Sequence, residues 1–293
     1  MRKDASDVGI CIPFFAAGPA PRRNTNLRKS LAKLGECDAK QVLVVECDMG
    51  HAQTRDLEGT VSHIVKGDPL WQKERLMQIG CEMLIQRGYR KIVCMDGDCL
   101  IERDDWLYRV SRCLRVNRAC QCFGTLQSIG DERTLTGRGA VAELKATGKH
   151  KRVVSGGIWA YHADVIEACG LWQRCIVGSG DVAHFLGMVD PDAAVKVFAD
   201  WGYTKAFQRA LKKWAVKWKH AVNNKIDYIP CEAVFQSHGR RDARKCGERH
   251  ALLHDYDPKV DVAVTAPGQG LRWQGKNKAL HNRVAAYARH RSS

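Results

Sequence analysis

The chain of 293 residues contains no apolar run long enough to cross a bilayer. Its first residues, Met1 to Asp7, are polar and lead into a short apolar segment with no signal-peptide core. Both absences predict a soluble cytoplasmic protein with no membrane partner. No internal repeat or low-complexity tract is present, and at this length a small scaffold stapled by cross-links is excluded. Paired C-x-x-C sites are also missing. The 13 cysteines are odd in number, and most lie inside apolar runs, as Cys11, Cys81, Cys94 and Cys113 do, so they read as buried reduced thiols. Cys120-Gln121-Cys122, and Cys246 followed by His250 and His254 at helical spacing, merit a metal test, but neither resembles a structural zinc site.

Acidic residues are scarce relative to basic ones: 32 Asp and Glu face 47 Lys and Arg, a net charge of +15. From Trp201 onward there are 19 basic and 7 acidic residues, so +12 of that excess sits in the last third. Such a distribution points to a polyanionic partner, because cations that neutralise phosphates release counterions; a solvated basic face is the plainer alternative.

What is present is a series of apolar runs that each end in polar or acidic residues. Val8 to Phe15 reads as a strand buried on both faces, Thr25 to Leu34 as a helix, and Gln41 to Val45 as a second buried strand running into Glu46 and Asp48. Val61 to Val65 is a short third strand. Trp71 to Gln86 is a helix, and Lys91 to Met95 is a strand that stops at Asp96-Gly97-Asp98. This alternation predicts an α/β fold with a mostly parallel sheet flanked by helices, ligands lying beyond the carboxyl ends of the strands. Residues 130–151 lack periodicity and read as a loop or lid; Val153 to Trp159 is a further strand. Gly178-Ser179-Gly180-Asp181 is a Gly-rich turn, and Trp201 to His220 is a helix whose aromatic stripe belongs to the core. We expect a core over residues 1–190 and a basic, helical C-terminal part over 191–293.

Two carboxylates separated by one small residue after a buried strand project to the same side, and Gly97 lets the backbone approach a ligand. That pattern suits Mg2+ or Mn2+ held against a diphosphate, since these ions take oxygen ligands and keep positions open for substrate. Asp181 in its turn is either a helix cap or a base near a reacting hydroxyl. His238 alone reads as an ordinary loop histidine.

The segment from Trp71 to Trp106, with W-x-K-E-R followed by Asp96-Gly97-Asp98, resembles the nucleotide-sugar half of GT-A glycosyltransferases. Ser155 to Ala160, Ile176 to Asp181 and His238-Gly239 match further pieces of that class in the same order. Within it the combination, with Arg residues and a Tyr-Asp-Pro segment after His238, is similar to the phage glycosyltransferases associated with TET/JBP dioxygenases, which act on hydroxymethylated pyrimidines in DNA. The resemblance spans Val8 to Tyr287; Gly97 stands where Ala is more usual, and Gln78 where Asn is frequent. It implies a GT-A-like, Rossmann-like fold and a location in the host cytoplasm if the gene is a phage's.

The resemblance also implies roles. Asp98 and His238 bind Mn2+ or Mg2+, with Asp96 near the metal or ribose. Pro13, Phe14, Phe15 and Glu46 or Asp48 face the nucleotide base, and Lys73 and Arg75 approach the diphosphate or ribose. Gly156, Gly157 and Trp159 border the sugar and acceptor, and Asp181 is the base of an inverting transfer, retention being the other outcome. The donor is a nucleotide-sugar, UDP-glucose or similar, and the acceptor is DNA carrying a hydroxymethylated pyrimidine such as 5-hydroxymethylcytosine. Arg244 and Arg249, like Arg240, Arg241 and Lys245, grip either the donor diphosphate or DNA. Three rival readings stand beside this one: transfer to a glycan, protein or small molecule; a nucleotidyltransferase, disfavoured because no Gly-rich, Lys-bearing loop follows the first strand; and a non-catalytic nucleic-acid-binding protein.

Overall fold

A computed structural model describes residues 5–35, 37–55, 57, 61–129, 134–149, 153–236, 247–264 and 268–291. The chain begins β1 (Val8–Phe15), α1 (Pro21–Lys33), β2 (Val42–Asp48), β3 (Val61–Lys66), α2 (Lys73–Gln86) and β4 (Lys91–Met95). It continues with β5 (Cys99–Ile101), α3 (Trp106–Cys113), β6 (Ala119–Gln121), β7 (Thr125–Ile129), β8 (Thr134–Arg138), α4 (Ala140–Thr147) and β9 (Ile158–His162). Then come α5 (Ala163–Cys169), α6 (Gly180–Val189), α7 (Pro191–Asp200), α8 (Lys205–Val222), β10 (Ile226–Tyr228) and β11 (Glu232–Phe235). A 3-10 turn (Arg249–Leu253), β12 (Val262–Ala263), β13 (Arg272–Trp273) and α9 (Lys278–His290) complete the described elements.

The expected mostly parallel sheet is present, in the order β10-β6-β9-β4-β1-β2-β3. Its strands run parallel except β9, which is antiparallel to both β4 and β6. β1 pairs with β2 on one side and β4 on the other, so the strand order reverses at β1 and β4, the point where open α/β sheets receive ligands. The alternation of strand side chains sends Ile10, Ile12 and Phe14 into one core layer with Leu27 of α1 and Val110 of α3. Cys11, Leu43 and Val45 face the other layer, packed by α2, α5, α6 and α8. That second layer also takes in Leu253, Tyr256, Leu271, Leu280 and Val284, so the C-terminal part shares one core with the strands. Among the described residues, no helix is long and apolar enough to cross a membrane.

Some local expectations need correction. Residues 130–151 are not one aperiodic loop: Thr134–Arg138 pairs with β7, and α4 follows, burying Ala140, Val141 and Ala142. Thr134-Leu135-Thr136 is too short a stretch to stand out as a strand, and its partner supplies the ladder. Downstream, the two short strands β10 and β11 belong to different sheets, β10 beside β6 and β11 beside β5 and β7. All 12 described cysteines are free thiols; Cys246 lies outside the described residues.

Candidate active site

Three separate stretches of chain converge at the carboxyl end of β4. Asp96 follows the strand, Lys73 opens α2, and Asp181 sits in the first turn of α6. The Lys73 Nζ lies 2.7 Å from Asp96 Oδ1 and 2.9 Å from Asp181 Oδ1, and its side chain is 7% exposed. One buried ammonium therefore bridges two carboxylates. Burial pushes the Asp96 carboxyl up to about 7, against the pull of Lys73, with Asp181 and Asp98 adding to the rise. Lys73 is held well above its ordinary value: burial opposes its charge, but Asp181, Asp96 and Glu74 together outweigh that.

Backbone geometry explains the glycines. The Asp96 amide donates to the Gly157 carbonyl at 3.1 Å, and Gly157 has φ +109°, in the region that disfavours side chains. A Cβ on Gly156 would meet Asp181 Oδ2 at 3.1 Å, so the carboxylate rests against the bare backbone entering β9. In the turn before Asp181, a Cβ on Gly180 would stand 2.1 Å from Glu74 Oε1. Gly180 thus permits the close approach of α6 to α2, and Gly156 that of the β9 entrance to Asp181.

Glu74, absent from the expected site, is fully enclosed here. Among the described residues its buried Oε1 has no hydrogen-bond partner, and burial pushes its carboxyl up to about 8, so it is mostly protonated at neutral pH. No sequence signal other than its place beside Lys73 marks it. Ser30 and Gln236 were also missed. Ser30 Oγ donates to the Gly97 and Cys99 carbonyls, Gln236 Nε2 donates to Ser30 Oγ and the Asn26 carbonyl, and the Gln236 amide donates to the Asp98 carbonyl at 2.8 Å. Together they fix the Asp96-Gly97-Asp98 turn between α1 and β11.

Asp96, Asp98 and Cys99 offer ligand atoms within 4.8 Å of one another. The two carboxylates fit a hard divalent cation; the buried Cys99 thiol is pushed well above its ordinary value by burial, and then by Asp98, and remains protonated. His238 and Arg244, with Arg240, Arg241 and Lys245, lie outside the described residues. Arg249 reaches the site's rim, donating from Nη2 to Ser179 Oγ at 2.6 Å.

The remaining expected contacts have these partners within the protein. Glu46 is buried, its carboxylate accepting from the Gln53 amide, the Thr54 amide and Thr54 Oγ1 at 2.6–2.9 Å. Asp48 accepts from the Gly50 amide. Arg75, two residues from Lys73 and so on another face of α2, donates to the Gln269 carbonyl and Gln173 Oε1. Trp159 is buried, its indole donating to the Ser155 carbonyl and its ring stacking on Tyr161. Pro13 lies buried within β1, and Phe14 points into the α1 layer. Phe15 alone of the three reaches an opening, a small apolar pocket walled by Phe15, Met49, Leu70, Trp71, Tyr287 and Arg291. There Phe15 meets Trp71 edge-on at 5.0 Å, and the Arg291 guanidinium lies 4.8 Å over the Trp71 ring.

No family model matches the sequence, and no curated protein matches it. Solved structures that superimpose on the chain include residues 1–349 of S. aureus TarS in complex with UDP-GlcNAc, at 8% identity and a TM-score of 0.48. That alignment covers 86% of this chain and 68% of that one. Another is the mannosyltransferase PcManGT from Pyrobaculum calidifontis in complex with GDP-Man and Mn2+, at 12% identity and a TM-score of 0.42, covering 97% of this chain and 72% of that one. At these scores neither likeness carries functional weight.

Proposed function

We propose that this chain is a divalent-metal-dependent glycosyltransferase that moves a sugar from a nucleotide-sugar, of the UDP-sugar type, to a hydroxymethylated pyrimidine base in DNA. The observation that carries the enzymatic part is the junction of Asp96, Lys73 and Asp181 at the strand-order reversal, with Asp98 beside it. The basic C-terminal third favours a polyanionic acceptor, and the resemblance to phage DNA-modifying glycosyltransferases favours hydroxymethylated DNA.

Asp96 and Asp98 would hold Mg2+ or Mn2+, with His238 as a third ligand; Gln236, two residues earlier, is hydrogen-bonded to Asp98. When bound, the cation offsets negative charge on the departing diphosphate. Lys73 adds a fixed positive charge and keeps Asp181 oriented through Oδ1, and Gly156 leaves room beside Oδ2. Asp181 then accepts the proton of the acceptor hydroxyl as that oxygen bonds to the anomeric carbon and the diphosphate leaves, which inverts the centre. Arg249, and Arg244 with it, supply positive charge on the rim near Ser179. The nucleoside end of the donor lies toward the apolar pocket beside Phe15 and Trp71, and not against Glu46, whose oxygens hold residues 53 and 54.

The test is transfer of labelled sugar to duplex DNA with and without 5-hydroxymethylcytosine, run with Mn2+ and then with chelator. Label in the modified DNA only, lost with chelator and in Asp98→Ala, supports the proposal. Donor hydrolysis without transfer to DNA would leave a glycosyltransferase with another acceptor, and no donor turnover under any condition would overturn the enzymatic reading.

A further inference from the structure

The last layer of helices carries a charged face that no step above uses. α8 contains no Asp or Glu, and its apolar side is fully committed: Phe207, Leu211, Trp214 and Trp218 are buried against α5, α6 and α7. On the opposite side Lys205, Arg209, Lys213 and Lys217 are exposed at four-residue intervals, with His220 exposed three residues beyond the last of them. At 1.5 Å per residue the four cations form a ladder about 18 Å long with rungs about 6 Å apart.

Among the described residues none of the four forms an ion pair; Lys205 touches Gln208 Oε1 at 3.5 Å. The carboxylates of α7 next door are engaged otherwise, Asp192 with Lys212 and Asp200 with Lys196, while Lys219 donates to the Val189 carbonyl. Like charges four residues apart repel along a helix, and a lysine in the first turn opposes the helix dipole, so the fold gains nothing from the arrangement.

We infer that this face of α8 is a docking surface for the phosphate backbone of duplex DNA. The choice of duplex DNA as occupant rests on the acceptor proposed above; the ladder itself calls for a densely and regularly charged polyanion, which a duplex is. A membrane surface is the poorer match, because lipid binding by a basic helix requires a free apolar side and α8 has buried its own.

The experiment measures binding of a fluorescent 20-base-pair duplex to the full chain between 50 and 200 mM salt. For four phosphate contacts, wild-type affinity should fall about a hundredfold over that range. Combined Lys205→Gln, Arg209→Gln, Lys213→Gln and Lys217→Gln should weaken binding at 50 mM at least about tenfold and flatten the logarithmic salt slope by about 3–4. A control with the same loss of charge elsewhere, Lys29, Lys40, Lys276 and Lys278 all to Gln, should stay within about threefold of wild type. Equal weakening by both sets, an unchanged salt slope in the ladder variant, or tighter binding to heparin or to phosphatidylserine vesicles than to the duplex overturns the inference. Sugar transfer to a free hydroxymethylated nucleoside, measured on the same variants, separates the two proposals. Loss of DNA binding with transfer intact supports the ladder; ladder-dependent DNA binding in a protein with no transferase activity leaves the docking surface standing and removes the enzyme.

Discussion

Two carboxylates end neighbouring parts of the same parallel sheet and have opposite fates. Glu46, near the end of β2, accepts three hydrogen bonds from residues 53 and 54 and is closed off from any ligand. Asp96, after β4, has one ammonium for a partner, shares it with Asp181, and is pushed up to about 7 by burial. An acidic residue at a strand terminus is thus not a site by position; it becomes one when its surroundings leave its charge incompletely matched.

That contrast is open to attack by substitution, and the sharpest blow falls on the metal side. Asp98→Ala should lower sugar transfer about a thousandfold, the loss of several kcal/mol of transition-state stabilisation, while the melting temperature hardly moves. Steady-state kinetics beside calorimetry separates the two readouts, and retention of activity would count against a metal at this turn. Next is Lys73→Met, which strips both aspartates of their shared partner and should cost about 3–5 kcal/mol of folding stability at neutral pH by urea denaturation. A smaller effect would mean that the carboxylates find other neutralisation. Gly180→Ala forces a methyl into Glu74 and should cost about 1–3 kcal/mol, partly relieved when Glu74→Ala is added. Glu46→Gln belongs to the other half of the comparison: it should cost about 1–3 kcal/mol through its hydrogen bonds yet leave kcat within a few-fold of wild type.

The smallest effect concerns pH. Glu74 in the folded protein titrates near 8, above its ordinary 4.5, so the native state keeps a proton that the unfolded chain releases in that interval. The associated stability is full below about 4.5 and is lost as pH rises through about 8. Denaturation midpoints recorded from pH 6 to 9.5 should decline in the wild type, and decline less in Glu74→Gln; parallel curves would show that another group governs the slope.

The sheet was legible because its central strands are buried on both faces and so read as unbroken apolar runs, β1 and β4 above all. Asp96 and Asp181 were legible because glycines announce tight backbone beside them. Lys73 was expected near the phosphates, and its bridge to the two aspartates was not visible in the sequence. What stayed hidden depends on partners distant in sequence: nothing near Glu46 tells that Thr54 returns to it, and nothing near Arg75 tells that residue 269 lies across the helix. Glu74 was invisible for the same reason, since its enclosure arises only when Gly180 packs onto α2. β8 was missed because five residues with two threonines and a glycine become a strand only through pairing with β7.

The reversed direction of β9 has a practical consequence for redesign. Because it runs against its neighbours, its entrance, and not its exit, meets the aspartate edge, so the residues just before Ile158 lie beside Asp96 while those beyond His162 are at the far rim. A segment inserted immediately before Ile158 would therefore emerge at the edge that carries Asp96 without interrupting the strand that presents it.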